Sequence, residues 1–400
     1  MRRAALTALL LAARPTLGEP PDPAPEPPLP EVVRPEPEEV APPEEGQPRP
    51  GTLSGPGEVP EPPPPADGHR RASRSFLLPV VSYLPETGLA AGASAGVHRH
   101  LEGATRPTSF FGTAVYTTER QGLLDLAADC NFRGGLTLAA RARALHYPDR
   151  YYGIGPDTPS SAMEHYTRRS IELVAQGEVP FPGVPHLRVG PRIDLRAEEI
   201  VDKDPGGALA AGKVSGADGS RAAAAGAAVT WDTRDGPFWP SHGTLAEAWY
   251  VYAPDGLARN GAYGRGVLEL RQFVPLPSGQ VLGLHAYGER AHGAVPFTLL
   301  PHIGSTRYLR GIREGRYRDD VSYSVQAELR APFFWRISGV AFAAAGDVAP
   351  RIADIRLDRP KVAGGAGLRY RLTDEGANIR LDVAASRFGV QLYVLVLEAF

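Results

Sequence analysis

The segment Val321-Ser322-Tyr323-Ser324-Val325-Gln326-Ala327-Glu328-Leu329-Arg330 divides by parity. Val321, Tyr323, Val325, Ala327 and Leu329 fall on one face of an extended chain, and Ser322, Ser324, Gln326, Glu328 and Arg330 on the other. Side chains of a strand alternate between faces, so this is amphipathicity of period two. Leu187, Val189, Pro191, Ile193 and Leu195 alternate in the same way with Arg188, Gly190, Arg192, Asp194 and Arg196. Ile379, Leu381 and Val383 alternate with Arg380 and Asp382. A soluble sandwich also alternates. Here the polar face is often ionic, and segment after segment repeats the scheme. That is the pattern of an all-β transmembrane β-barrel, apolar toward lipid and polar toward the lumen.

Turn residues divide 75–400 into sixteen segments, near 76–84, 88–99, 107–117, 121–132, 135–147, 166–178, 186–198, 221–232, 243–253, 262–273, 279–290, 321–331, 337–347, 362–372, 377–386 and 389–400. A tilted spanning strand needs roughly 9–11 residues, so a 16-stranded antiparallel barrel fits the length. With the first strand entering from the periplasm, the long connections 148–165, 199–220 and 291–320 lie outside and the short turns inside.

Residues 1–18 have Arg2 and Arg3, an apolar run from Ala4 to Ala13, and small residues at Thr16 and Gly18. They read as a secretory signal peptide. Residues 19–74 hold 19 of the 41 prolines and 12 acidic residues against five arginines. With little apolar to bury, they read as a disordered Pro/Glu-rich periplasmic tail, extended and partly polyproline II. Removing +3 for the signal region and −7 for the tail from the overall −2 leaves +2 for residues 75–400, which gives nucleic-acid binding no electrostatic support.

The single cysteine, Cys130, excludes an internal disulfide and shares a parity with Leu124, Leu126, Ala128 and Phe132, so it reads as lipid-facing. No cysteine stands near the cleavage region, which argues against a lipoprotein anchor. Tyr116, Tyr147, Tyr151, Tyr152, Trp231, Phe238, Trp239, Tyr250, Tyr252, Phe333, Phe334 and Trp335 sit near strand ends and suggest interfacial girdles. No G-x-S-x-G, H-E-x-x-H or phosphate loop is present, so neither catalytic residues nor an enzyme is expected. His98 and His100 share a parity but read as interfacial; no metal and no cofactor is expected.

Three segments carry more than periodicity. The first is a turn with Arg234, Asp235, Pro237, Phe238, Pro240 and Gly243. The second is Leu309-Arg310-Gly311-Ile312, deep in the longest loop. The third is Glu328-Leu329-Arg330-Ala331-Pro332 ending one strand, with Phe342-Ala343-Ala344 and Asp347 in the next. In this order they resemble the barrel of the bacterial surface antigen superfamily, which includes the BamA/TamA-type outer-membrane assembly factors and the two-partner secretion transporters. That family shows an R-D-x-P-F-x-P-x-x-G turn, an aliphatic-R-G-aromatic motif in its sixth external loop, E-x-R-x-P on strand twelve and F-x-D-x-G on strand thirteen. The resemblance covers about residues 75–400. It implies a sixth loop folded into the lumen and locked by Arg310 and Gly311 against Glu328. Ala344 stands where the family has its aspartate, Asp347 has the wrong parity to replace it, and Ile312 replaces the aromatic. One acceptor of the lock is therefore expected to be missing. A 56-residue Pro/Glu-rich tail cannot make the periplasmic POTRA modules of assembly factors, so the chain looks like a barrel-only member.

Val390, Leu392, Val394, Val396 and the terminal Phe400 share one parity and resemble an outer-membrane insertion signal, with Glu398 departing from it. The implied partners are outer-membrane lipid, the assembly machinery during insertion, and a client or partner polypeptide. The implied function is assistance in outer-membrane protein insertion or polypeptide translocation; the alternative is a passive pore or structural barrel tethered by its acidic tail.

Overall fold

The computed structural model describes residues 74–99, 101, 108–236, 239–371, 378–396 and 399–400. The signal peptide and the tail through residue 73 lie outside the described residues, as do His100, Pro237, Phe238 and Glu398.

Sixteen strands form the wall. The first half comprises β1 (Arg74–Leu84), β2 (Gly88–Arg99), β3 (Thr108–Thr117), β4 (Gly122–Asn131), β5 (Thr137–Tyr151), β6 (Glu164–Pro180), β7 (Leu187–Lys203) and β8 (Ser220–Asp232). The second comprises β9 (Gly243–Ala253), β10 (Tyr263–Pro275), β11 (Val281–Gly293), β12 (Val321–Phe334), β13 (Ile337–Ala349), β14 (Lys361–Arg371), β15 (Asn378–Ser386) and β16 (Gly389–Val396). Each is antiparallel to its chain neighbour, and β1 pairs with β16 to close the barrel. Closure leaves no unpaired edge, the condition for crossing a bilayer with strands. Among the described residues, the closing seam has one register pair, Tyr83↔Val394, whereas β1 and β2 pair from Arg74↔His98 to Leu84↔Gly88.

Parity decides the two faces. On β12, Val325 is 49% exposed on the outside, while Gln326 is 4% exposed within. Ile379, Leu381 and Val383 face outward from β15, and Arg380 and Asp382 inward. Cys130 pairs with outward-facing Leu138, on the lipid side. Strands β6 and β7 have 17 residues each, against 10 for β3 and β4. At about 3.3 Å per residue they exceed what a bilayer requires and project beyond the shorter strands on the external side.

The external end and the C-terminal half of the interior are filled, whereas inward-facing Arg141 on β5 keeps a side chain that is 58% exposed. At the external end, Tyr151, Tyr166, Leu209, Val251, Phe297 and Leu300 belong to one buried cluster. Phe297 meets Tyr151 and Tyr166 edge-on at 5.3 and 5.2 Å. Tyr151 and Tyr152 are thus buried inward and take no part in a girdle; Tyr116, Trp231, Tyr250, Tyr252, Phe333, Phe334 and Trp335 are exposed. Below the cap, the longest loop (294–320) enters the lumen. Its two short strands, His302–Ile303 and Tyr317–Arg318, pair as a hairpin.

The last strand also differs from its expected span. β16 ends at Val396, and Phe400 does not lie on the lipid face. Phe400 packs in the lumen against Phe273, 6.1 Å between centroids, and His285, 4.9 Å. Two aromatic surfaces there offer burial that a single edge position on the wall does not.

Candidate functional site

The lumen of the C-terminal half is built from inward parities of consecutive strands. β12 contributes Glu328 and Arg330, β13 Phe342, β14 Arg369, β15 Arg380 and Asp382, and β16 Tyr393; all are buried. Register sets their proximity, since Glu328 is opposite Phe342, and Asp382 is opposite Tyr393 on one side and Gly367 on the other. Gly367 has no side chain to fill the space beside Asp382, and an added Cβ would lie 2.1 Å from the Asp382 carboxylate.

Into this wall the loop delivers Arg310. One guanidinium nitrogen donates to Glu328 at 2.7 Å and the other to Asp382 at 2.8 Å, with all three side chains at 0% exposure. The guanidinium also covers the Phe342 ring at 3.5 Å. A planar fork with several fixed donors suits two separated carboxylates better than an ammonium does. Further cations attend the acids: Arg330 reaches Glu328 at 2.9 Å and Arg369 reaches Asp382 at 2.6 Å. Buried charges of both signs are thereby compensated, as a low-dielectric site requires.

The second acceptor is present, in a place the family pattern does not indicate. Ala344 packs with Ile303, Leu309, Ile312, Tyr317 and Val348 in an apolar cluster. Asp347 is held by Lys361 and lies 3.5 Å from Arg356, away from Arg310. The carboxylate comes from Asp382, two strands further along the wall. The expectation of a missing partner is corrected accordingly. The alternation of Arg380 and Asp382 with apolar neighbours marked Asp382 as lumenal, but no sequence signal linked it to residue 310.

Gly311 completes the docking. Its φ is +101°, a region that favours glycine, and an added Cβ would lie 3.2 and 3.3 Å from the β-carbons of Ala363 and Ala384. Its amide donates to the Tyr393 hydroxyl at 2.8 Å, and its carbonyl accepts from Ser386 at 2.6 Å. The loop tip therefore grips β12, β15 and β16 together. Higher up, Arg316 donates to the Thr158 carbonyl at 2.7 Å and Arg318 to the Phe297 carbonyl at 2.9 Å, tying the loop to the external cap.

The turn motif meets the same network through Arg330. That guanidinium donates to the Pro240 carbonyl at 3.4 Å, lies over the Trp239 ring at 4.4 Å, and donates to the Phe400 carbonyl at 3.1 Å. Arg234 pairs with Asp232 at 2.9 Å. Asp235 accepts from the Ser241 hydroxyl at 2.5 Å and from the Ser241 and His242 amides at 2.9 and 3.3 Å. Partial burial raises the Asp235 pKa, but these hydrogen bonds outweigh it and hold the carboxyl below its usual range. Asp235, Ser241 and His242 cluster: the Ser241 hydroxyl donates to Asp235, and the His242 Nδ1 lies 3.2 Å from that hydroxyl and 3.4 Å from the carboxylate. Gly243, at φ +99°, lies where a Cβ would be 2.3 Å from the Thr233 carbonyl oxygen.

A closed sixteen-stranded barrel with an ionic lumen, an apolar outer surface and a loop anchored inside it defines a transmembrane barrel of the outer-membrane type. No protein-family model and no curated protein matches the sequence. Among solved structures, the chain is similar to the crystal structure of BamA from Haemophilus ducreyi lacking POTRA domains 1-3, with a TM-score of 0.56 and 14% identity, over 80% of this chain and 70% of that one. It is also similar to CdiB from Acinetobacter baumannii, with a TM-score of 0.51 and 13% identity, over 81% of this chain and 59% of that one. The chain therefore spans less than two thirds of the CdiB structure. At such identities the likeness is one of fold, and the fold is a BamA/TamA-like barrel.

Proposed function

We propose that this chain is an outer-membrane protein that assists insertion of other outer-membrane proteins or passage of a partner polypeptide, working through a lateral opening between β1 and β16. Fold alone does not carry activity. The observation that carries the reading is the position of the lock. Arg310 and Gly311 bind β15 and β16 through Asp382, Ser386 and Tyr393, immediately beside the β1–β16 seam. The loop is thus placed to hold the C-terminal side of the seam while β1 is joined across it at Tyr83↔Val394. The apolar external cap and the loop packed inside the C-terminal half of the wall favour a closed resting state over a steady open channel.

The test is a reversible staple across the seam, Tyr83→Cys with Val394→Cys in a Cys130→Ala background. Oxidation is expected to lower outer-membrane protein levels in a deletion strain carrying this variant, and reductant to restore them. Unchanged levels in the stapled strain, together with steady conductance in planar bilayers, would overturn the reading in favour of a pore.

A further inference from the structure

The outer surface carries one feature that the lumenal lock does not explain. At the external ends of β2 to β8 lies a groove of about 1000 Å³ on the lipid side of the wall. Its floor is made of small residues, Ala91, Ala114, Ala144 and Ala197, and its sides include Tyr116, Leu124 and Ile171. Small residues recess the wall while Ile171, 68% exposed, and Tyr116, 60%, stand proud of it.

Immediately above the apolar row runs a polar one. Register places Tyr116 opposite Gly122, Gly122 opposite His146, His146 opposite Arg169, and Arg169 opposite Glu199. Arg221 is opposite Ala197, one row nearer the membrane. Arg259 joins it from the loop after β9, because its amide donates to the Arg221 carbonyl at 2.8 Å. All three arginines are exposed and line the groove. Arg169 donates to His146 at 3.4 Å. Two carboxylates share the site, Glu199 and Asp218, and Lys203 holds Asp218 at 2.6 Å. The group keeps a positive balance where Tyr116 marks the headgroup level, since aromatic rings sit at that interface.

We infer that this groove binds a phosphate-bearing lipid of the external leaflet, with its phosphate held by Arg169, Arg221 and Arg259 and an acyl chain lying along the alanine floor. Guanidinium groups match phosphate oxygens with paired hydrogen bonds, and an alkyl chain gains burial in a recess that flat wall does not offer. A soluble anion would use the arginines but leave the apolar floor unoccupied. The inference depends on the barrel spanning a membrane and not on the proposed seam.

The test uses the full chain in phosphatidylcholine nanodiscs doped with lipid A, with retained lipid read by native mass spectrometry. Arg221→Gln with Arg259→Gln should weaken lipid A retention at least about tenfold, since hydrogen bonds to charged groups contribute on that scale. Arg99→Gln, an outward arginine at the opposite end of β2, should leave it unchanged. Arg259→Gln alone, outside every strand, should show part of the loss without affecting the fold. Equal retention by wild type and variants would overturn the inference. So would equal retention of phosphatidylglycerol, which would reduce the site to general anion attraction. Displacement of lipid A by inorganic phosphate at comparable concentration would also overturn it, because the floor would then add nothing.

Discussion

Arg310 and Asp382 are 72 residues apart in the chain, yet a guanidinium nitrogen of one lies 2.8 Å from a carboxylate oxygen of the other, both out of reach of solvent. The pair joins an external loop to the fifteenth strand and makes the loop part of the wall.

Removing Arg310 leaves two buried acids with fewer cations. Breaking a buried pair by deleting one partner typically costs about 3–5 kcal/mol. Arg310→Ala should lower the urea midpoint of the detergent-solubilised barrel far more than Arg307→Ala, whose side chain is 43% exposed and pairs with Glu269. Equal midpoints would show the loop to be energetically idle.

Asp382→Asn tests whether this acid serves as the lock's second acceptor. Arg310 and Arg369 would lose a charged acceptor, at about 1.5–3 kcal/mol for each bond. Asp347→Asn should leave Arg310 undisturbed, because Asp347 meets Lys361 and Arg356 instead. Greater protease access to residues 303–320 in Asp382→Asn than in Asp347→Asn is the expected result.

Gly311→Ala combines a left-handed backbone with contact on Ala363 and Ala384. Holding a side chain in that region costs about 1–3 kcal/mol. The loop should be released in part, again read by proteolysis. Tyr393→Phe removes the hydroxyl that accepts from the Gly311 amide and donates to Gln391; at about 0.5–1.5 kcal/mol for each neutral hydrogen bond, it should release the loop less than Gly311→Ala does.

The turn at 233–242 should loosen in acid. The Asp235 carboxyl is held below its usual range in the folded chain, so its stabilisation is complete above the unfolded value of about 3.9 and disappears as pH falls through the lower folded value. Trp239, in the same turn, reports on this. Its fluorescence should stay constant at mildly acidic pH and change only below about pH 4, and Asp235→Asn should abolish the change.

Legibility followed range. Strand number, face and order were readable because a strand's side chains alternate with a period of two, and Glu328, Gln326 and Arg330 declare their face within ten residues. The entry of the 294–320 loop was legible only through the family-like Leu309-Arg310-Gly311 match. The inward burial of Tyr151 and of Phe400 was not legible, since position near a strand end is the same for a girdle residue and for one folded under a cap.

By itself the sequence determined the wall, sixteen amphipathic strands whose apolar and ionic faces cannot be exchanged without placing charge in lipid. Tertiary structure alone decided which lumenal charges meet. Barrel closure brings Asp382 around the wall to Arg310, while Ala344, at the position where the family carries its acid, turns to an apolar cluster. A carboxylate on any inward position within reach satisfies a guanidinium equally well, so the constraint acts on distance in the closed barrel and leaves no fixed spacing along the chain.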